Sequence, residues 1–402
     1  MSELVKISEK LKGNAARSVN PFGCRQEVLN QISYVQGKGH YEGAQKALII
    51  GGSSSYGLAS RITAAFGSGA DTVNVSFERP PKDEKMLGTA GWYNNVFFRE
   101  EAEKAGLKAK NFNGDCFTKE MKDQVIKYIK DEFGGSIDLL VYSVAAPKRT
   151  NPENPDETWR SVIKSVGKPI TGENINLEEE KLFEQTIEPA TQEEIDATNH
   201  VMGGEDWELW VDALKEAGVL ANGFKTILYS YIGPKVTYAF YHEGTLGLAK
   251  DAAEASSHQI QKKINDINGE ALISVSRAVT TKASVVIPIF PLYCLALYKV
   301  EETTGTHETP IMHKDRLFRD MVYGNEREVD DKGRLRPDAW EQRADIQEKV
   351  SELMKKITPD NFNTSLTGYA EFRREFMQLN GFEVPGADED EVDLDQLLKL
   401  KP

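Results

Sequence analysis

The amino-acid sequence predicts an α/β fold built on a doubly wound parallel sheet. Three observations carry that prediction. A short apolar run, "ALII" at Ala47 to Ile50, leads directly into glycines, serines and a helical pattern. That run is unbroken, as in a strand buried on both faces of a parallel sheet. Strand-like and helix-like segments then alternate over about 100 residues, the signature of βαβ units.

Taken in order, Ala47 to Ile50 is the first strand, and the pattern turns helical from Gly57 through "LASRITAAF". "DTVNVSF" (Asp71 to Phe77) alternates as the second strand. "AEKAGLKAKNF" reads as a helix end leading into a third strand near Lys108 to Phe112. The helix "TKEMKDQVIKYIKDEFG" and the strand "IDLLVYS" (Ile137 to Ser143) follow. The pattern resumes with "KTILYSY" (Lys225 to Tyr231), a helix over 245–264 and "ALISVSRA" (Ala271 to Ala278).

Between these halves lies a polar insertion, 151–188, with turn residues and little apolar periodicity. It follows the C-terminal end of the fourth strand, where ligands of such sheets bind, so it is read as a substrate lid. Thr191 and Glu194 have the spacing of a capping box. Asp338 and Glu341 repeat that spacing before a helix whose Ile346, Val350, Leu353, Met354 and Ile357 form a core-facing stripe. "ASVVIPIFPLYCLALYKV" is interrupted by Pro288 and Pro291 and is short for a bilayer span. It is expected to be a buried strand or loop followed by a core helix. Residues 384–402 read as a solvated acidic tail. With no internal repeat or linker, residues 1–402 are expected to be one domain with insertions.

The formal net charge of -14 repels nucleic acid and anionic membranes at long range. Any positive charge that meets an anionic ligand must therefore be local. Cys24, Cys116 and Cys294 form no CxxC pair and are expected to be reduced, ordinary buried thiols. The six histidines form no HExxH or HxH pair, so no metal site is expected. The N-terminal stretch lacks the apolar core of a signal peptide, so a cytoplasmic protein is expected.

A strand, Gly51, Gly57 and a helix make the setting in which a dinucleotide pyrophosphate meets a helix N-terminus. The spacing is not GxGxxG, and Ser53, Ser54 and Ser55 add hydroxyl donors. Glu78 lies 21 residues past Gly57, where an acid binds ribose hydroxyls and repels a 2′-phosphate. Asp115 in "NGDCF" ends the third strand, within reach of an adenine ring. Further on, Tyr241 and Lys250 are nine residues apart. On one continuous helix that spacing rotates by about 900° and points them to opposite sides. They converge if a helix starts between them, at Gly244 and Thr245, with Thr245 as N-cap. The same residues also fit a packed aromatic and a solvated lysine.

The stretches "GGSSSYGLASRITAAFG", "GTAGWYNN", "VYSVAAPKRT", "VMGGEDWELW" and "YSYIGP", with the Tyr241-x8-Lys250 segment, resemble the trans-2-enoyl-CoA reductase / FabV-type enoyl-ACP reductase family. The resemblance runs from about Pro21 to about Phe382. It implies a monomeric Rossmann-type oxidoreductase of fatty acid metabolism. Such an enzyme uses NADH to reduce the α,β double bond of a 2-enoyl thioester, carried on CoA or acyl carrier protein. It places the cofactor along Gly51, Gly52, Ser53, Ser54, Ser55, Tyr56 and Gly57, then Phe77 and Glu78, Asp115 and Cys116, and Val144 and Ala145. Lys250 is implied at the nicotinamide ribose, and Val279, Thr280 and Thr281 at the nicotinamide end. Tyr241 matches the proton donor and Tyr231 the substrate-contacting tyrosine. Lys250 is further expected to lower the tyrosine pKa. Lys148, Arg149, Lys164 and Lys168 are at hand for a carrier phosphate, though each alone reads as a solvated side chain.

Three positions depart from the family pattern. Ser55 stands where a glycine is usual, Asp251 where a second lysine is common, and "YSVA" where "YSLA" is common. Two other functions fit the same residues. One is a carbonyl-reducing dehydrogenase with Tyr and Lys in the same roles; the other is a nucleotide-sensing protein without turnover.

Overall fold

A computed structural model of the chain describes residues 4–387 and 389–402. Residues 1–3 of the N-terminal stretch and residue 388 of the acidic tail lie outside these.

Six strands form the central sheet: β1 (Lys46–Ile50), β2 (Asp71–Ser76), β3 (Ala109–Asn113), β4 (Ile137–Tyr142), β5 (Leu220–Ser230) and β6 (Glu270–Val275). All neighbours pair parallel, in the order β3-β2-β1-β4-β5-β6. The order reverses between β1 and β4, which is the Rossmann order; sheets of this order bind ligands in a crevice beyond the carboxyl ends of the strands at that point. Ile50 is in register with Val75 on one side and Tyr142 on the other. The loops leaving β1, β2 and β4 therefore start level with one another.

Helices cover both faces: α1 (Pro21–Gly37), α2 (Ser55–Ile62), α3 (Ala90–Lys104), α4 (Lys119–Asp131), α5 (Gln192–Met202), α6 (Glu205–Glu216), α7 (Thr245–Ile264), α8 (Phe290–Thr304), α9 (Pro310–Arg316), α10 (Ala344–Met354) and α11 (Tyr369–Gln378). The strands alternate their side chains between two cores. Leu48, Ile50, Leu140 and Leu228 pack with Val125 of α4, Trp207 and Trp210 of α6 and Ile260 of α7. Ala47, Ile49, Val141 and Ile227 pack on the other side with Leu317 and Phe318. Fully burying each leucine or isoleucine contributes about 1.5–3 kcal/mol, so the unbroken apolar runs are what hold the sheet between its two helix layers. Cys24, Cys116 and Cys294 are free thiols. Among the described residues no helix is long and apolar enough to cross a membrane.

The structure differs from the sequence reading in three places. First, the insertion 151–188, polar and with little apolar periodicity in sequence, is built of β-hairpins. Lys148–Asn151 pairs antiparallel with Asn154–Arg160, and Ile170–Asn176 with Lys181–Ile187. The first hairpin is polar on both faces, so it carries no period-2 signal. The second buries Ile175, Leu182 and Ile187 in one core with Tyr231, Tyr241 and α8. Secondly, Asp338 does not cap α10: its carboxylate binds Arg336, and Arg343 is the N-cap. Glu341 turns inward, although Ile346, Val350 and Ile357 are buried as the stripe requires. Thirdly, the acidic tail is not wholly solvated. Glu391–Asp393 pairs with Leu4–Lys6, and Val392, Leu394 and Leu397 are buried while Glu391 stays exposed. The Thr191–Glu194 capping box at α5 is present.

A buried ionic cluster lies behind β6. Arg277 binds Glu301, and His307 bridges Glu301 (Nδ1, 3.3 Å) and Glu375 (Nε2, 2.7 Å). The ligand atoms of His307, Glu371 and Glu375 lie within 4.8 Å of one another, a grouping that sequence-local spacing does not reveal. Burial opposes the charge on His307, but the two carboxylates outweigh it and raise its pKa to about 9. Its unfolded pKa is about 6.5, so its stabilisation is complete below that and disappears as pH rises through about 9. His307→Gln should therefore cost on the order of 2–3 kcal/mol at pH 6 and much less above pH 9. Thermal melts across pH measure this, and a pH-independent loss would contradict the charge argument.

Candidate active site

The first wall of the crevice is the loop from β1 to α2. Gly51 has φ +89°, and a Cβ there would collide with the Ser143 carbonyl. A Cβ on Gly57 would collide with the carbonyl of Gly51. Both glycines are thus required for the loop to fold back on itself. The amide of Gly52 donates to Asn74 (2.8 Å), which fixes the turn to β2. Ser54 is the N-cap of α2 but makes no side-chain cap bond, so the helix N-terminus keeps open donors. The Ser55 hydroxyl oxygen is buried without a partner. Open donors at a helix start, beside a turn that excludes side chains, fit a pyrophosphate.

Ser55 itself has φ +48°, the left-handed region that glycine adopts without strain. A non-glycine residue there costs about 1 kcal/mol. Ser55→Gly should raise stability by up to about 1 kcal/mol and leave the loop able to bind cofactor. A thermal melt beside an NADH titration checks it; a lower melting temperature would show that the serine hydroxyl is needed.

Glu78 lies two residues beyond β2. Its carboxylate accepts from the Ser53 hydroxyl (2.6 Å) and from Thr89. A Cβ on Gly91 would collide with that carboxylate. Asn94 donates to the Ser53 carbonyl (2.9 Å), and Asn95 binds Ser76 and Asn74. The sequence stretch "GTAGWYNN" is thus the brace that holds Glu78 and the glycine loop together. No local pattern gives Thr89, Gly91 and Asn94 this role, because their partners lie 11 to 41 residues away. Phe77, at 81% exposure, presents a bare aromatic face beside Glu78.

Asp115 uses one carboxylate oxygen to accept from the Phe117 amide (2.9 Å). Cys116 anchors through its carbonyl, which accepts from Lys122 (3.1 Å) and Trp210 (3.1 Å). Burial raises the Cys116 thiol well above its ordinary value, so it is held as a neutral thiol. Val144 and Ala145 follow β4 at the mouth of the crevice, Ala145 exposed. Val279 and Thr280 are buried beyond β6, and the Thr280 hydroxyl pairs with Tyr298 (2.8 Å). The Thr281 amide donates to Ser284 (2.8 Å).

Tyr231 and Tyr241 meet in the core beside the start of α7. Tyr231 follows β5, and Tyr241 lies after a 3-10 turn (Lys235–Phe240) and before α7. Their rings pack edge to face at 4.8 Å and 84°. The Tyr241 carbonyl accepts from the amides of Gly244 (3.1 Å) and Gly247 (3.1 Å), which fixes it on the first turn of α7. The helix starts between Tyr241 and Lys250, as the phase argument requires, but its N-cap is Gly244. Thr245 is instead bound to the insertion, donating to the Val162 carbonyl (2.6 Å) and accepting from the Lys164 amide (3.2 Å). Thr237 turns its hydroxyl to the Pro234 carbonyl (2.9 Å), and the Tyr231 hydroxyl is buried without a partner.

Lys250 is half-buried and not a solvated lysine. Its Nζ donates to the Tyr229 carbonyl (3.0 Å), and burial lowers its pKa to about 8. Burial alone moves Tyr241, and upward, so the expected lowering of the tyrosine pKa by Lys250 is not found. Both phenols are protonated and able to donate. Arg149 is also not solvated: it is buried, donating to the His200 carbonyl (2.7 Å) and paired with Glu205. Lys164 pairs with Glu194 (2.7 Å), while Lys148 and Lys168 are exposed.

Fold and site together define a Rossmann-type protein with a tight glycine turn at the start of α2 and a buried tyrosine pair before α7. Comparison with known proteins is more specific. Residues 86–323 match the trans-2-enoyl-CoA reductase catalytic region, and 6–83 the NAD(P)H binding domain of trans-2-enoyl-CoA reductase. The chain belongs to the trans-2-enoyl-CoA reductase family. It is 53% identical to an enoyl-acyl-carrier-protein reductase (NADH) of Photobacterium profundum, covering 98% of this chain and 99% of that one. It is 49% identical to a trans-2-enoyl-CoA reductase (NADH) of Clostridium beijerinckii, with the same coverage. The crystal structure of the Clostridium acetobutylicum trans-2-enoyl-CoA reductase in complex with NADH matches with a TM-score of 0.96 at 45% identity. It covers 99% of this chain and 100% of that one.

Residues 329–392 match an enoyl reductase FAD binding domain. In the described residues this segment holds α10, α11 and the strand Glu391–Asp393, without a strand–glycine loop–helix unit. Its residues do not fit a flavin pyrophosphate, and they pack instead against α8.

Proposed function

We propose that this chain is an NADH-dependent reductase of trans-2-enoyl thioesters. The observation that carries the reading is the unpartnered, buried Tyr231 hydroxyl beside Tyr241. A buried hydroxyl without a partner costs about 1–3 kcal/mol, and a substrate oxygen would satisfy it.

Bound NADH supplies a hydride to the β-carbon of the enoyl thioester. The protein's part is to hold both reactants and to stabilise the charge that develops on the thioester oxygen. Gly51 to Gly57 and the start of α2 bind the pyrophosphate, Glu78 the adenosine ribose and Phe77 the adenine face. Asp115, Cys116, Val144 and Ala145 line the adenine side of the crevice, and Lys250 reaches the nicotinamide ribose. Val279, Thr280 and Thr281 hold the nicotinamide end. Tyr241, a phenol whose pKa burial raises further, donates to the thioester oxygen and then its proton to the product, with Tyr231 as second donor. A donor aimed at that oxygen acts most strongly in the transition state. Water is excluded by Phe290 and Ile289 and by the inner face of the second hairpin, with Ile175 and Leu177, all in one core with the tyrosine pair. In this reading the insertion is a fixed cover over the site, and the protein is a cytoplasmic monomer of fatty acid metabolism.

Steady-state assays with crotonyl-CoA, longer enoyl-CoAs, an enoyl-acyl carrier protein and acetoacetyl-CoA, each with NADH and NADPH, test this. Substrate-dependent oxidation of NADH by the enoyl thioesters, with NADPH poor, is expected. Turnover only with acetoacetyl-CoA would make the protein a carbonyl reductase, and NADH binding without turnover a sensor.

A further inference from the structure

The loop leaving β6 is held residue by residue. The Ser276 amide donates to the Ser230 carbonyl (2.7 Å), and the Tyr56 hydroxyl to the Arg277 carbonyl (2.8 Å). Ser284 donates to the Val279 carbonyl (2.8 Å). At Ala278 the partner is a carboxylate. The Ala278 amide donates to Glu341 Oε2 (2.6 Å), and the Tyr293 hydroxyl donates to Oε1 (2.7 Å). Gln347 completes the arrangement, donating to Tyr293 Oη (3.0 Å) and to the Glu341 carbonyl (2.7 Å).

We infer that Glu341 is a positioning residue for the nicotinamide end of the site, acting through the Ala278 amide. The inference rests on the reading that Val279, Thr280 and Thr281 hold the nicotinamide.

Glu341 is 1% exposed and, among the described residues, makes no salt bridge. Arg277, next to Ala278 on the loop, gives its guanidinium to Glu301 and the Glu308 carbonyl, so its charge reaches Glu341 only at a distance and offsets part of the effect of burial. A buried carboxylate without a paired cation is costly, and an apolar side chain of similar size would pack there at less cost. What the carboxyl adds is an acceptor for one backbone amide; burial raises its pKa to about 7, and above that pH the bond is charge-assisted and about twice as strong as a neutral one. That bond fixes the Ala278 peptide plane, and with it the direction in which Val279, Thr280 and Thr281 leave the sheet. By sequence spacing Glu341 fits a helix cap. Its observed partners are on the loop and on α8, and it belongs to the C-terminal segment whose residues do not fit a flavin.

The test compares NADH with ADP-ribose, which lacks the nicotinamide. In Glu341→Ala the KM for NADH should rise about tenfold or more and kcat should fall, because Ala278 loses its acceptor. ADP-ribose affinity should stay within about twofold of the wild type. Glu341→Gln keeps one oxygen that can accept from Ala278 and should restore most of the NADH affinity, leaving a shift of several-fold. Equal weakening of both ligands would make Glu341 merely structural, and an unchanged KM for NADH would remove it from the site. If Glu341→Ala does not fold, Glu341→Gln decides by the same two ligands, with NADH selectively weakened or the inference overturned. Wild-type protein that fails to oxidise NADH with crotonyl-CoA would sink the parent reading and not this one alone.

Discussion

Tyr241→Phe is expected to lower turnover of crotonyl-CoA by roughly 10² to 10⁴-fold, the range for loss of a general acid. The substitution keeps the ring, and with it the edge-to-face packing on Tyr231 at 4.8 Å. The main-chain bonds from Gly244 and Gly247 to the Tyr241 carbonyl are also untouched. Stability should therefore change little, and NADH binding should be close to wild type. Single-turnover NADH oxidation, an NADH fluorescence titration and a thermal melt separate these quantities. Wild-type turnover in Tyr241→Phe would transfer the donor role to Tyr231, whose hydroxyl is buried and unpartnered in the same cluster. Tyr231→Phe would then carry the large effect.

Lys250→Met should raise the NADH KM and lower kcat, together a loss of about 10- to 100-fold in kcat/KM. The side chain is long enough to fill the same space, so the fold should survive. The sharper signature is in pH. Burial lowers the Lys250 pKa to about 8. Below that pH the ammonium is charged and can bind ribose hydroxyls as a donor; above it the charge is lost. The kcat/KM for NADH, which reports groups of the free enzyme, should fall as pH passes about 8 in the wild type. In Lys250→Met it should be low and flat across the same range. A wild-type profile without that fall would mean that the charge on Lys250 does not contribute to binding.

Much of this was legible in the sequence because the signals are local. "ALII" is buried throughout, so its apolar run could be read without knowing its neighbours. Helix phase makes a start of α7 between Tyr241 and Lys250 the condition for the two to converge, and Gly244 marks the place. What escaped was non-local or two-sided. The hairpin Lys148–Asn151 with Asn154–Arg160 is polar on both faces, so nothing in its pattern separates strand from loop. Glu341 had the spacing of a capping residue, and only the packing of α10 on α8 shows that it points inward. Gly91 and Thr89 matter because Glu78 needs space and donors, a demand created by a different element. The pairing of His307 with Glu301 and Glu375 joins the end of α8 to α11, and no sequence-local pattern contains all three residues.

The brace around Glu78 has a consequence for redesign. Its carboxylate receives the Ser53 and Thr89 hydroxyls at once, in space left free by Gly91. Replacing Glu78 with a neutral residue to admit a 2′-phosphate would strand two donors and open a hole under the Gly51–Gly57 turn. Selectivity and scaffold are one unit here, so single substitutions should trade away catalytic efficiency with NADH without gaining NADPH. A productive switch of coenzyme needs Ser53, Glu78 and Thr89 to change in concert. Such a three-residue ridge in mutational space is one that stepwise selection crosses with difficulty.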